Sequence, residues 1–410
     1  MNNKQGHITI YEHQCLKIGQ TYGTTQYTAK YHERLEQFYG KGLPYYSLIN
    51  KGVQFNEHVG VLSIGSLVIE VLPKADKGKD EERWRKILIS MLQTVGAFKV
   101  HAPSSSALKV KQNFILDLYF ELFVKEVEYL YHKGLVKQYR KVESNKLALQ
   151  GSLQFGKHIQ QNLVHAERFY VKHSTYDRMH LMHQVLSQTL QLLRNLNTKE
   201  SLKSRIGSLL LNFPEVDNVK ISESTFNRIT FSRKTEDYKY AIEIAKLLLL
   251  NYHPDLSMGQ TNVLALMFDM NHLWEQFIYV SLRRRLKDAT VTAQTSKNFW
   301  KPLNGYASMI RPDIVITKGE NKIVLDTKWK NIGEKNPSPE DLRQMFAYHE
   351  YYKADKVALV YPGEESIRSG KYVGRDMECA IIRIPTDDTV QVWQDKIAQS
   401  ISRWMEKVDY

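Results

Sequence analysis

Residues 311–330, RPDIVITKGENKIVLDTKWK, constrain this chain more than any other stretch. Two apolar runs, Ile314-Val315-Ile316 and Ile323-Val324-Leu325, flank Lys318-Gly319-Glu320-Asn321, a segment of turn composition. That pattern predicts a β-hairpin. Asp313 precedes the first run, and Asp326 and Lys328 extend the second. Aspartate and lysine are poor strand residues and resist burial, so a strand that runs into DxK needs something to compensate for them. A divalent cation held between Asp313 and Asp326 is one such compensation. A surface hairpin with a cross-strand ion pair is the other reading.

The cation reading explains the residue types. Mg²⁺ prefers oxygen ligands and usually keeps several waters, so one or two carboxylates suffice, and Mn²⁺ accepts the same donors. Two carboxylates brought together repel unless a cation sits between them. A metal there acidifies a bound water for attack on phosphorus and stabilises charge on phosphate oxygens. Lys328 lies two residues from Asp326, so a strand points both side chains to one face. It is placed to orient the attacking water or to offset charge on the transferring phosphate. Asp313, Asp326 and Lys328 are therefore the candidate catalytic set, with Asp313 and Asp326 as metal ligands.

The context extends the pattern. Ser338-Pro339-Glu340-Asp341 predicts a helix start, with a capping serine, proline at the first position and acids in the first turn. Gln344 and Tyr348, four residues apart, share a face of that helix. The apolar strand Val357-Ala358-Leu359-Val360-Tyr361 follows. Hairpin, helix and strand in this order resemble the core of the PD-(D/E)xK superfamily, and Gln344/Tyr348 resemble the QxxxY helix of its RecB-like branch. Upstream, Asn271 to Phe277 predicts the start of an amphipathic helix. There Glu275 resembles the first-helix acid that joins the metal shell in such enzymes; an exposed helix glutamate is the alternative.

At 410 residues and 42% hydrophobic composition the chain supports two or three domains with real cores. The polar start, Met1-Asn2-Asn3-Lys4, and the absence of any long apolar run predict neither secretion nor a membrane span. Two cysteines, Cys15 and Cys379, provide no disulfide framework and no zinc set. A cytoplasmic protein is expected. The net charge of +13 fits a polyanionic partner. Arg283, Arg284, Arg285 and Lys287, together with Lys330 beside the DxK, are the DNA-binding candidates, and Lys137, Arg140 and Lys141 surround Tyr139. Solvated helix faces are the plain alternative for each cluster taken singly. His173, His180 and His183 lack the cysteine or acid partners that a metal site would need at ligand spacing. No glycine-rich segment ends in Gly-Lys-Ser/Thr, so the chain itself is expected to bind no nucleotide.

The expected organisation is multi-domain α/β in three segments. Residues 1–105 alternate apolar and polar positions and read as β-rich. Residues 106–255 read as mainly helical, with helices over Phe114–Tyr131, Met179–Leu196 and Tyr238–Leu250, the second opened by a capping box at Ser174–Asp177. Residues 256–410 carry the restriction-endonuclease-like PD-(D/E)xK pattern. Ala102–Ser106 reads as a boundary.

Three regions resemble the McrC family, the nuclease subunits of McrBC modification-dependent restriction systems. They are His58-Val59-Gly60-Val61 through Ile69-Glu70-Val71-Leu72-Pro73-Lys74; Gly134 to Tyr139 with Leu149-Gln150-Gly151 and Tyr176-Asp177; and Arg311-Pro312-Asp313 with Leu325 to Lys330. After Gly151 the family often has arginine where this chain has Ser152. The resemblance implies Mg²⁺-dependent cleavage of double-stranded, modified DNA. It also implies a partner, an McrB-like AAA+ GTPase ring whose central pore receives the subunit's N-terminal part and whose hydrolysis it stimulates. Two other readings stay open: a stand-alone PD-(D/E)xK repair or mobile-element nuclease, and a non-catalytic subunit that binds DNA or the ring.

Overall fold

A computed structural model describes residues 6–40, 44–75, 80–96, 115–197, 199–253 and 263–406. The protein is mixed α/β and divides into two compact units, Met1–Lys99 with Asp255–Tyr410, and Val100–Pro254. The first and third segments expected from sequence thus contribute to one unit, and residues 106–254 fall in the other.

The discontinuous unit holds two main sheets. In one, strand Gly6–Tyr11 runs parallel to Leu67–Leu72, which forms a hairpin with His58–Ile64; Val263–Asp269 then pairs antiparallel with His58–Ile64. Alternation buries Ile8, Ile10, Leu62, Ile69 and Val263 in a common core with Tyr27, Leu35 and Phe55. Gly60 faces Met267 across this sheet with φ +134°, where a Cβ would strike the carbonyl of Leu266. Only glycine fits that backbone approach, which gives a physical reason for the Val59-Gly60-Val61 motif.

The second sheet has six strands in the order Thr290–Ala293, Ile314–Lys318, Asn321–Thr327, Lys356–Pro362, Glu378–Ile384, Ser366–Lys371. The expected hairpin forms, with Gly319 in the left-handed region at φ +61° and Lys318 paired with Asn321. Asn321–Thr327 and Lys356–Pro362 are parallel, and helix Pro339–Tyr352 makes the crossover. Ser338 caps it as expected, its Oγ accepting from the amide of Asp341 at 3.1 Å. One sheet face buries Val315, Val324, Val357 and Leu359 with Met345, Tyr348 and Tyr352 of that helix. On the other side, helix Met270–Arg285 and helix Val390–Glu406 pack together, with Trp274 and Phe277 against Trp393 at ring separations of 5.7 and 4.4 Å. Trp393, Ile397, Ile401 and Trp404 line the buried face of the last helix; Val408 lies outside the described residues.

The unit 100–254 contains helices Ile115–Lys133, Leu181–Leu196 and Tyr238–Leu250 close to their expected positions. It also contains a sheet the composition does not announce. Gln138–Lys146 pairs antiparallel along nine positions with Phe169–Asp177. The expected capping box at Ser174–Asp177 is corrected accordingly: those residues are strand, and helix Leu181–Leu196 begins at His180 without a side-chain cap. Asp177 instead accepts from the amide of Met179 and pairs with Arg140 at 2.9 Å. His180 and His183 are structural, with Nε2 atoms on the carbonyl of Val136 and on Tyr238 Oη. The boundary expected at Ala102–Ser106 lies outside the described residues. Among the described residues no helix is long and apolar enough to cross a membrane.

Candidate active site

The hairpin register sets the site. Ile314 pairs with Leu325, so the ladder extended by one residue places Asp313 opposite Asp326. Strand alternation puts Asp313 on the face of Val315, and Asp326 and Lys328 on the face of Val324. Both valines pack under helix Pro339–Tyr352, so the three polar side chains turn toward Gln344 and Tyr348.

Asp326 is 1% exposed. Its Oδ2 lies 2.9 Å from Lys328 Nζ yet accepts no well-directed hydrogen bond. Burial, then Asp313, raises its proton affinity above the usual carboxylate range, and Lys328 only partly opposes this. Burial alone would lower the pKa of Lys328; the Asp326 carboxylate outweighs it and raises that pKa. Both partners are thus shifted upward, which is the behaviour of a lysine beside crowded acids rather than of a simple isolated ion pair. Lys328 Nζ also reaches Gln344 Oε1 at 3.4 Å. Gln344 Nε2 donates to Tyr348 Oη at 2.8 Å, and Tyr348 Oη donates to the carbonyl of Arg311 at 2.9 Å. This relay ties the lysine back to the chain two residues before Asp313.

Asp313 is half-buried, and its Oδ2 accepts from Thr327 N at 2.7 Å and Thr327 Oγ1 at 2.9 Å. Glu275 is buried on helix Met270–Arg285 rather than on an exposed face. Gln294 Nε2 donates to its Oε1 at 2.8 Å. Burial and then Asp313 raise its pKa, so the two acids feel one another. Gln294 adopts φ +51°, and its amide donates to the carbonyl of Asp313 at 3.0 Å. Sequence reasoning missed Thr327 and Gln294. Thr327 sits inside the DxK motif and was within reach of it; Gln294 lies 19 residues from Glu275 and carries no local signal.

The basic candidates are distributed differently. Arg283, Arg284 and Arg285 form the last turn of the helix that carries Glu275, roughly 12–15 Å further along its axis. Arg285 pairs with Asp395 at 3.1 Å, and Arg284 reaches the carbonyl of Thr94 at 3.4 Å. The structure does not bring this cluster or the exposed Lys287 to the carboxylates. Lys330 lies next to the site but is paired with Asp341 at 2.8 Å.

Among the described residues no group of three or more His, Cys, Asp or Glu side chains forms a ready metal cage. Mg²⁺ does not require one, since it takes one or two carboxylates and keeps waters. The donor set fits it. Asp326 Oδ2 is buried with only the Lys328 ammonium beside it, at 2.9 Å. The donors are hard oxygens, and Asp326 and Glu275 are both shifted upward by burial first and by Asp313 second, so a cation among them would offset both.

Trp329 alternates to the opposite face. Its ring lies 5.3 Å from Trp274 and 6.4 Å from Trp84, and its Nε1 donates to Glu12 Oε1 at 2.8 Å. Burial lifts the Glu12 pKa from the ordinary 4.5 to about 7. The folded acid therefore keeps its proton where the unfolded one has lost it. This stabilisation is full below pH 4.5 and is lost as pH rises toward about 7. Glu12→Gln is expected to flatten the fall in melting temperature between about pH 5 and pH 8. Asp326 and Glu275 act in the same direction, so some slope persists. An unchanged slope in the variant would count against the assignment.

A family profile described as McrBC 5-methylcytosine restriction system component matches residues 53–362. The chain belongs to this family. All of the candidate catalytic and supporting residues, from Glu275 to Tyr348, fall within the matched range. The chain is 22% identical over 259 residues to the type IV methyl-directed restriction enzyme EcoKMcrBC of Escherichia coli (strain K12), covering 58% of this chain and 72% of that protein. Its fold resembles a chain of the refined half-complex from the tetradecameric assembly of Thermococcus gammatolerans McrB AAA+ hexamers with bound McrC. That match has a TM-score of 0.75 at 19% identity and covers 97% of this chain and 100% of that one. A chain of the cryo-EM structure of the Thermococcus gammatolerans McrBC complex matches with a TM-score of 0.51 at 19% identity, over 68% and 88% of the two chains.

Proposed function

We propose that this McrBC-family chain is the DNA-cleaving subunit of a modification-dependent restriction complex, a PD-(D/E)xK endonuclease that hydrolyses phosphodiester bonds. The observation that carries the reading is the convergence of Asp313, Asp326 and Lys328 at the end of one hairpin, with a buried Asp326 oxygen whose near partner is the Lys328 ammonium at 2.9 Å. Asp313 and Asp326 would hold Mg²⁺ or Mn²⁺, with Glu275 beside them. Such an ion, when bound, acidifies a water and stabilises charge on the phosphate. Asp326 keeps Lys328 in place, and Lys328 orients the attacking water and offsets charge on the phosphate oxygens. Gln344 and Tyr348 fix the lysine through their relay to the carbonyl of Arg311. Thr327 locks the Asp313 carboxylate.

The proposed partner is an McrB-like AAA+ GTPase ring, and the assembly would work in the cytoplasm. The unit 100–254 supports a contact surface for it, since Phe155 and Ile159 of the short helix Phe155–Asn162, Leu163 and Val164 just after it, and Leu147 and Leu149 in the loop after strand Gln138–Lys146 are all exposed. Exposed apolar clusters of this kind mark protein interfaces. Residues before about 255 would then serve the motor and those after it would cut.

The test is cleavage of methylated duplex by the full-length chain with its ring partner, GTP and Mg²⁺. Cleavage is expected to stop when EDTA removes the divalent ion. Cleavage by the chain alone, with Mg²⁺ and no nucleotide, would favour a stand-alone nuclease; no cleavage under any condition would favour a non-catalytic subunit. Lys328→Ala is expected to lower the rate by about 10²–10³ while Mg²⁺ binding persists. Gln344→Ala should cost less, because that residue orients a charge and does not supply one. A Lys328→Ala rate near wild type would remove the lysine from the mechanism.

A further inference from the structure

A second hairpin precedes the catalytic one. Lys297–Trp300 pairs antiparallel with Ser308–Ile310, with a register shift between Asn298 and Trp300. Its base is fixed to helix Pro339–Tyr352. Tyr352 Oη donates to the carbonyls of Thr295 and Ile310, Lys297 Nζ donates to the carbonyl of Tyr351 at 3.0 Å, and Phe299 packs on Tyr351 at 4.9 Å between rings. The outer face and tip are bare. Trp300, Leu303, Tyr306 and Met309 are 60%, 104%, 100% and 67% exposed. Large apolar side chains concentrated in so short a segment and left in water mark a binding surface.

The charge of the segment selects the occupant. Residues 297–311 contain Lys297, Lys301 and Arg311 and no acid; Lys301 and Arg311 are exposed. A symmetric contact between two copies of this chain would set this positive patch against itself. A polyanion with stackable rings suits it. The hairpin ends three residues before Asp313, within about 10 Å of chain reach. We propose that this hairpin engages duplex DNA, with Lys301 and Arg311 on backbone phosphates and Trp300 and Tyr306 in a groove as wedges at base steps, and so holds the duplex over the carboxylates. This rests on the nuclease reading above.

Binding of a fluorescein-labelled duplex to the full-length chain at low salt, in EDTA, tests it without any cleavage. Trp300→Ala/Tyr306→Ala is expected to weaken binding by about tenfold or more through lost groove and wedge contacts, and Trp300→Phe/Tyr306→Phe to restore most of it. Lys301→Ala should reduce the salt slope of log K by about one. Three outcomes overturn the proposal: no binding by the wild-type chain, unchanged affinity in the double alanine variant, or unchanged affinity with lost self-association, which would make the hairpin an interface between copies. The nuclease reading fails separately, if Asp326→Ala cuts DNA as wild type does, whatever the binding result.

Discussion

Full-length Asp326→Ala, and separately Asp313→Ala, are expected to fold, to bind DNA and the ring partner, and to leave DNA uncut. The two carboxylates face one another across the hairpin end, and removing either halves the donor set available to a divalent ion. On the proposed mechanism, a water without that ion keeps its ordinary low acidity and is a poor nucleophile, and neither Lys328 nor Gln344 would substitute for the ion. The variants should also separate a catalytic from a structural role. In the metal-free protein Asp326 is buried under desolvation and repulsion from Asp313, so its charge is held at a cost. Asp326→Asn is therefore expected to melt at or above the wild-type temperature without added metal, while losing activity, the trade between stability and function seen at strained sites. Cleavage at near wild-type rate by either alanine variant would sink the assignment. A large drop in melting temperature for Asp326→Asn would make the residue a structural one.

The second large effect is on stability. Trp274→Ala should destabilise the protein by about 3–5 kcal/mol. Trp274 is fully buried, and its ring lies within 5.3–6.2 Å of those of Trp329, Trp393 and Phe277. Few neighbours can collapse into the void, since each is itself pinned: Trp329 by Glu12 and Trp393 by Phe277. Urea unfolding followed by tryptophan fluorescence measures this directly. A loss under about 1 kcal/mol, below the usual range for such truncations, would show that the aromatic cluster is not the keystone of the core. Glu275 follows Trp274 and Lys328 precedes Trp329, so activity should also fall more steeply on warming than stability alone predicts.

Much of the candidate site was legible because its signals are local. Turn composition at Lys318–Asn321, the cap at Ser338 and the apolar run 357–361 each depend on neighbours in sequence, and each forms where expected. The strands Gln138–Lys146 and Phe169–Asp177 were not legible. QYRKVESNK has no apolar alternation, because neither face is deeply buried; backbone pairing over nine positions holds it. Gln294 was invisible for a different reason. Its contact with Glu275 depends on a left-handed backbone and on a fold that brings helix and strand ends together. Nor did spacing along the chain reveal that His58–Ile64 finds its partner in Val263–Asp269.

That last pairing bears on how the molecule comes into being. The ribosome delivers strands 6–11, 58–64 and 67–72 early, but the edge of His58–Ile64 stays open until residue 269 has emerged. Closing a long loop costs only logarithmically more than closing a short one, so the wait is tolerable in free energy. It leaves an unpaired edge, however, and edges of this kind recruit other chains. A chain interrupted before residue 263 has neither a closed first sheet nor any of Glu275, Asp313 and Asp326. Chain order thus acts as a safeguard: the three acids are delivered only in chains that already carry the strand that closes the first sheet.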